Sequence, residues 1–225
     1  MCASYMIKQK TDGEFRFRLS VESRVDLEQF DLEEYYDTLI VPQATAPVLR
    51  ANGGDVEITP MRFSLLPSWS KEPRVKLATH NARLESIDEK PTWRTVFVRR
   101  HCLVPMTHFI EPIYKGEHAG FMVAFFQKEG SLIYAAGVWD QWVNKQTGEV
   151  IASFAIITHD PPPFIRATGH DRCPLFLEES ASGEWLHNHN FPASTLKSFL
   201  TEHQESMDFS LVDHRPMRPG WEKRK

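Results

Sequence analysis

Phe121-Met122-Val123-Ala124-Phe125-Phe126-Gln127, then Lys128-Glu129-Gly130-Ser131, then Leu132-Ile133-Tyr134-Ala135-Ala136-Gly137-Val138-Trp139, decides the fold class. Two short runs rich in aromatic and β-branched residues flank a polar, glycine-containing turn, and both are too short for helices, so they read as strands. Working outward, Cys102 to Pro105, Phe109 to Tyr114 and Ile151 to Thr158 have the same character. Further upstream, Ala51-Asn52-Gly53-Gly54-Asp55 is a hairpin turn leading into a strand from Val56 to Leu66, preceded by an extended Leu39 to Leu49 that contains Pro42 and Pro47. Met6 to Leu19 alternates around a Thr11-Asp12-Gly13 turn. Helices are expected over Ser23 to Tyr36, for about a dozen residues from the Thr79–Glu85 stretch, over Ser182 to Asn188, and over Ser194 to Glu205 with Ser194 as cap. Pro161, Pro162 and Pro163 forbid a long helix across that point. Many short strands with irregularly interspersed helices predict an α+β fold, a curled antiparallel or mixed sheet forming a barrel-like core with flanking helices. No repeat or linker interrupts the chain, so one domain is expected over residues 1–225.

Composition narrows the class. The 225 residues are 41% hydrophobic and 12% aromatic, ample for one sizeable core. No charged leader with an apolar stretch and no run of 18 apolar residues occurs, so a cytoplasmic protein without a membrane span is expected. Cys2, Cys102 and Cys173 are odd in number and lack CxxC spacing, which argues for reduced thiols and against a disulfide framework or a metal site. The net charge of −4 is unevenly spread: residues 22–37 hold seven acids and one base, while 62–101 hold nine bases and four acids. Because charge acts over about 8–10 Å, such a basic stripe can meet phosphates on a protein that is acidic as a whole.

Some residues suit chemistry by their type and setting. A cysteine that becomes N-terminal carries an amine and a thiol on adjacent carbons, both with reactive fractions near neutral pH, and together they can close a five-membered thiazolidine on an aldehyde. Cys2 gains that property if Met1 is removed. Glu111 sits within His108-Phe109-Ile110-Glu111-Pro112-Ile113-Tyr114, where desolvation would favour proton exchange, although strand alternation can also put it on the surface. His170, in Thr168-Gly169-His170-Asp171-Arg172-Cys173-Pro174, is of the type that shuttles protons, yet with ten histidines in the chain a structural role is the common one. Asn81 and Arg83 flank Ala82 and offer an orienting amide and a phosphate-binding guanidinium. Trp69, in the Pro67–Pro73 loop, serves equally as a core anchor or a stacking platform among bases.

Met1-Cys2, Pro67-Ser68-Trp69, Asn81-Ala82-Arg83-Leu84-Glu85, Arg100-His101-Cys102-Leu103-Val104-Pro105 leading to Glu111, Ala136-Gly137-Val138-Trp139, Ile156-Ile157-Thr158 and His170-Asp171-Arg172-Cys173-Pro174 stand in one order and spacing. Together they resemble the SOS response-associated peptidase (SRAP) family, the YedK/HMCES-type abasic site processing proteins, from residue 1 to about 177, with a less specific helical C-terminal part and basic tail over 178–225. The resemblance implies a monomeric protein that binds single-stranded DNA containing abasic sites, needs no cofactor, and in bacteria works at the nucleoid during DNA damage. It implies that Cys2 is the nucleophile once the chain removes its own Met1, that Asn81 orients the amine or sugar, that Glu111 moves protons, and that His170 assists sugar opening. Arg83 would hold a phosphate, and Pro42, Trp69 and Thr158 would line the strand. A lyase activity would follow from an imine that eliminates before the ring closes. The chain departs from the family pattern at Ala3-Ser4, in place of Gly-Arg, at Pro112 in place of tryptophan, and at Leu39 in place of asparagine. Two other readings compete: an N-terminal-nucleophile amidohydrolase or cysteine peptidase, and a non-catalytic binder of single-stranded DNA.

Overall fold

The two-residue turn at Gly53-Gly54, with Gly53 at φ +65°, joins β2 (Thr45–Asn52) to β3 (Asp55–Phe63) as an antiparallel hairpin in which Asn52 faces Asp55. The structure is a computed structural model that describes residues 4–9, 33–74, 76–127 and 132–223. From the hairpin a ring closes. β2 pairs with β5 (His101–Met106), β5 with β8 (Ile133–Val143) and β8 with β9 (Val150–His159), all antiparallel, and β9 returns to β3 in parallel. The result is a closed five-stranded barrel, the curled mixed sheet expected from the sequence. Two short strands extend β9: β4 (Asn81–Arg83) in parallel and β10 (Cys173–Pro174) antiparallel.

A second, four-stranded antiparallel sheet runs β1 (Ser4–Met6), β6 (His108–Pro112), β7 (Phe121–Gln127) and β11 (Phe209–Pro216). β5, the first half of β8 and most of β9 are buried on both faces, which is why they read as near-continuous apolar runs. Val104, Phe154 and Ile156 pack with Phe109 and Phe125 of the second sheet, whereas Leu103, Ala155 and Ile157 pack beneath the helices. Those helices are α3 (Glu179–His187) and α4 (Ala193–Glu202), anchored by Trp185, Leu196 and Leu200. Trp185 donates its indole N–H to the Cys102 carbonyl at 3.1 Å and stacks on His101 at 3.8 Å.

Local expectations were overridden in several places. The stretch after Thr79 is not a dozen-residue helix. Asn81–Arg83 instead pairs with Ile156–Thr158, a 3-10 turn covers Leu84–Ser86, and only α1 (Arg94–Phe97) is α-helical, because pairing with β9 outweighs propensity and Pro91 breaks any helix running on from the turn. α3 begins three residues before Ser182, and Pro192, not Ser194, stands before α4. α2 (Pro163–Ala167) starts at the last of the three prolines and stays short. The part expected to be helix and basic tail contains β11, a mostly exposed edge strand on β7. The strands expected between Met6 and Leu19 and the helix from Ser23 to Tyr36 fall largely outside the described residues; at the described end of the latter, Glu33–Tyr35 forms a 3-10 turn.

Candidate active site

Glu111 sits on the central part of the second sheet, facing Val123, with no solvent exposure. Burying a carboxylate is costly unless it is bonded, and the buried His170 brings Nε2 within 3.3 Å of its Oε2. The other ring nitrogen, Nδ1, lies 2.8 Å from the Arg172 carbonyl oxygen, which can only accept. The Arg172 N–H also approaches Nδ1, at 3.3 Å, but the carbonyl contact is the shorter; with the hydrogen on Nδ1, the Nε2–Oε2 contact needs one proton between its two atoms. An imidazolium facing a carboxylate and an imidazole facing a carboxylic acid are the two forms of that contact, an arrangement that can give or take a proton at one point.

The loop carrying His170 is fixed from both sides. Gly169 has φ +87°, and a Cβ there would meet the Lys115 carbonyl oxygen at 2.9 Å, so the loop closes against the segment following β6 only with glycine. On the other side the buried Arg172 reaches Glu85 through both nitrogens, at 2.5 and 3.0 Å, donates to the Thr158 carbonyl at 2.7 Å, and lies 3.3 Å from Asp160. This network spans 87 residues of sequence, and nothing in the sequence around Arg172 points to it.

Arg83, Thr158 and Pro174 form one row across β4, β9 and β10. Thr158 is fully buried, its hydroxyl 3.3 Å from Arg172, so it builds the wall beneath the surface. Arg83 is exposed and lines an open cleft of about 470 Å³ together with Arg166, His170 and Arg172. Asn81 is buried at the start of β4, opposite Ile156. Trp69 lies elsewhere. Its turn is held by Asp140, whose strand partner Ser153 stands five residues, roughly 16 Å, along β9 from Thr158. Trp69 is 62% exposed and is followed by exposed Lys71, Arg74 and Lys76. Pro42 is half-buried in a turn two residues after Ile40, which exchanges backbone bonds with Tyr5 at 3.0 and 2.8 Å.

Neither described cysteine suits a nucleophile. Burial pushes the Cys102 thiol far up, and burial, with the charge of Glu111 nearby, pushes the Cys173 thiol well above its ordinary value. Cys2 lies outside the described residues, but Ser4 is opposite Ile110, the neighbour of Glu111. Among the described residues no group of histidine, cysteine and acidic side chains is arranged to hold a metal ion, and no helix is long and apolar enough to cross a membrane.

The molecule is thus an α+β protein with a buried acid–base pair beside an arginine-lined cleft. The family model for SOS response associated peptidase (SRAP) matches residues 1–216, and the chain belongs to that family. Among curated relatives it is 26% identical to the abasic site processing protein YoaM of Bacillus subtilis over 181 residues, covering 77% of this chain and 79% of that protein. It is 27% identical to YoqW of the same organism, likewise named an abasic site processing protein, covering 82% and 85%. The abasic site processing protein HMCES of Pongo abelii is 29% identical, and the match covers 64% of this chain and 51% of that one. Crystal structures from Bordetella bronchiseptica (TM-score 0.70, 20% identity, 95% and 100% covered) and Bacteroides thetaiotaomicron (0.66, 24%, 87% and 85%) share the fold.

Proposed function

We propose that the chain processes abasic sites in single-stranded DNA by linking itself covalently to them through Cys2 after Met1 is removed. The observation that carries the reading is the register of β1: Ser4 pairs with Ile110, the neighbour of the buried Glu111, and the Cα of Cys2, two residues upstream, is within about 7 Å of that of Ser4 by chain length alone. With Cys102 and Cys173 silenced by burial, Cys2 is the remaining thiol.

An abasic deoxyribose equilibrates with an open-chain aldehyde. The Cys2 amine adds to that carbon and loses one water to give an imine. The thiol then adds across the C=N bond, sulfur to carbon and its proton to nitrogen, closing a thiazolidine. Each stage moves a proton, and Glu111 with His170 is the group placed to move it, while Asn81 orients the amine or the sugar and Arg83 holds a phosphate. Ring closure makes capture stoichiometric; an imine that stalls permits strand elimination, a lyase reaction. Removal of Met1 is the peptidase step consistent with the family's name: the Cys2 thiol takes the methionyl acyl group from its own residue's nitrogen, which gains a proton, and water hydrolyses the resulting thioester to free methionine and thiol.

The test is intact-mass analysis after incubating the processed protein with an abasic oligonucleotide. The expected product has the mass of protein plus DNA minus one water, and Cys2→Ala forms none. Absence of an adduct from protein shown to lack Met1 overturns the reading. Glu111→Gln is expected to slow adduct formation at least tenfold, since general acid–base groups contribute about 10²–10⁴; an unchanged rate removes Glu111 from the mechanism.

A further inference from the structure

Three arginines line the cleft beside His170, but their side chains are used differently. Arg172 is consumed by the fold: its guanidinium faces Glu85, Asp160 and the Thr158 carbonyl, and it is 5% exposed. Arg83 makes no side-chain hydrogen bond or ion pair among the described residues. Arg166, on α2, makes one, to the Pro161 carbonyl at 3.4 Å, which steadies its head group at the rim without neutralising it. Two guanidinium forks without a hydrogen-bonded carboxylate therefore face one solvent-open cleft; the charge of Arg83 acts on Glu85 only at a distance, and Glu85 and Asp160 are engaged by the third arginine. Such forks match the paired oxygens of a phosphate more closely than lysine does.

We infer that Arg166 and Arg83 together form a clamp for one internal phosphodiester of the bound strand, next to the nucleotide that His170 serves. The inference rests on the reading of the chain as a binder of single-stranded DNA and extends it to a residue that neither motif nor spacing had singled out. Two aspartates, Asp160 and Asp171, also line the cleft, so its excess of positive charge is small. That balance suits the single negative charge of a diester and disfavours the double charge of a terminal phosphate. The clamp thus selects an interior position on a strand over an end, which is where an unbroken abasic site lies.

The experiment measures binding of an undamaged single-stranded oligonucleotide by fluorescence anisotropy across a salt series, in parallel with adduct formation on the abasic version. Arg166→Gln is expected to raise Kd about five- to tenfold, the scale of a charge-assisted hydrogen bond at an exposed site. It should also reduce the slope of log Kd against log salt by about 0.7, the value for one phosphate contact on a single strand. Asp171→Asn is expected to tighten binding two- to threefold, and Lys145→Gln, in the distant β8–β9 turn, to change nothing. Inorganic phosphate and a 5′-phosphorylated mononucleotide are expected to compete weakly at low millimolar concentration. A Kd and salt slope for Arg166→Gln equal to those of the unaltered protein overturn the clamp, as does strong competition by the mononucleotide for the preference over termini. Failure of the covalent reading shows separately, as normal salt-dependent binding by the unaltered protein with no adduct on the abasic strand.

Discussion

At the scale of single residues, the candidate site depends on side chains that do no chemistry themselves. Gly169 is one. Replacing it with alanine forces an L residue into φ +87° and sets its Cβ 2.9 Å from the Lys115 carbonyl oxygen. Gly169→Ala is expected to cost about 1–3 kcal/mol in urea denaturation and to slow adduct formation through displacement of His170; equal stability would show that the loop relaxes freely. His101 is another. Buried against Trp185, it has ring nitrogens 2.9 and 2.6 Å from the Trp185 and Phe97 carbonyls, contacts that favour the protonated ring, but burial outweighs them and pushes it down to about 4. The folded protein holds this ring neutral while the unfolded chain binds a proton below about 6.5. The stability it contributes is therefore complete above that pH and is lost as the pH falls toward 4, up to about 3 kcal/mol. Denaturation midpoints should drop across this window, and His101→Gln should be less stable at neutral pH but flatter below it. How legible such residues were differs by mechanism. Glu111 and His170 stood out because their local sequence was unusual for their type, whereas the Arg172–Glu85 bond joins residues that nothing local connects.

Elements show where local sequence stops being informative. β5 and β8 were readable because burial on both faces leaves a run of apolar residues, and the β2–β3 turn because Gly53-Gly54 has few other uses. β4 was not, since three residues acquire their conformation from a strand more than seventy positions away. The 67–70 turn shows the same dependence in a functional setting. Asp140 accepts the Ser68 N–H at 2.7 Å, the Gln141 N–H at 2.8 Å and Arg100 at 2.5 Å, and Trp142 donates to the Ser70 carbonyl at 2.8 Å. The turn is thus held to β8 on both sides of Trp69 with the indole out in solvent, where, on the proposed function, a base can stack on it. Asp140→Ala removes the acceptor for three donors and is expected to cost about 2 kcal/mol or more. Limited proteolysis should then cut between residues 67 and 74, and binding of single strands should weaken; an uncut turn with full affinity would show that Trp69 needs no such support.

For the whole molecule, the barrel supplies rigidity and the second sheet holds β1 on the strand that carries Glu111. β1 is three residues long, yet it is held between β6 and the Tyr5–Ile40 bridge, with Tyr5 in the core against Phe63. The division of labour was only half visible in advance: composition and strand count gave the class, but the pairing of β1 with β6, separated by about a hundred residues, is a property of the finished packing. A closed ring has one more consequence. Removing any one of its five strands breaks two ladders at once, so the barrel has no low-energy route for opening by fraying at an edge. A long polymer that threads past this protein cannot be accommodated by parting the strands. On the proposed reading the strand is received on the turns and short strands outside the ring, against a wall that stays in place while the sugar reacts.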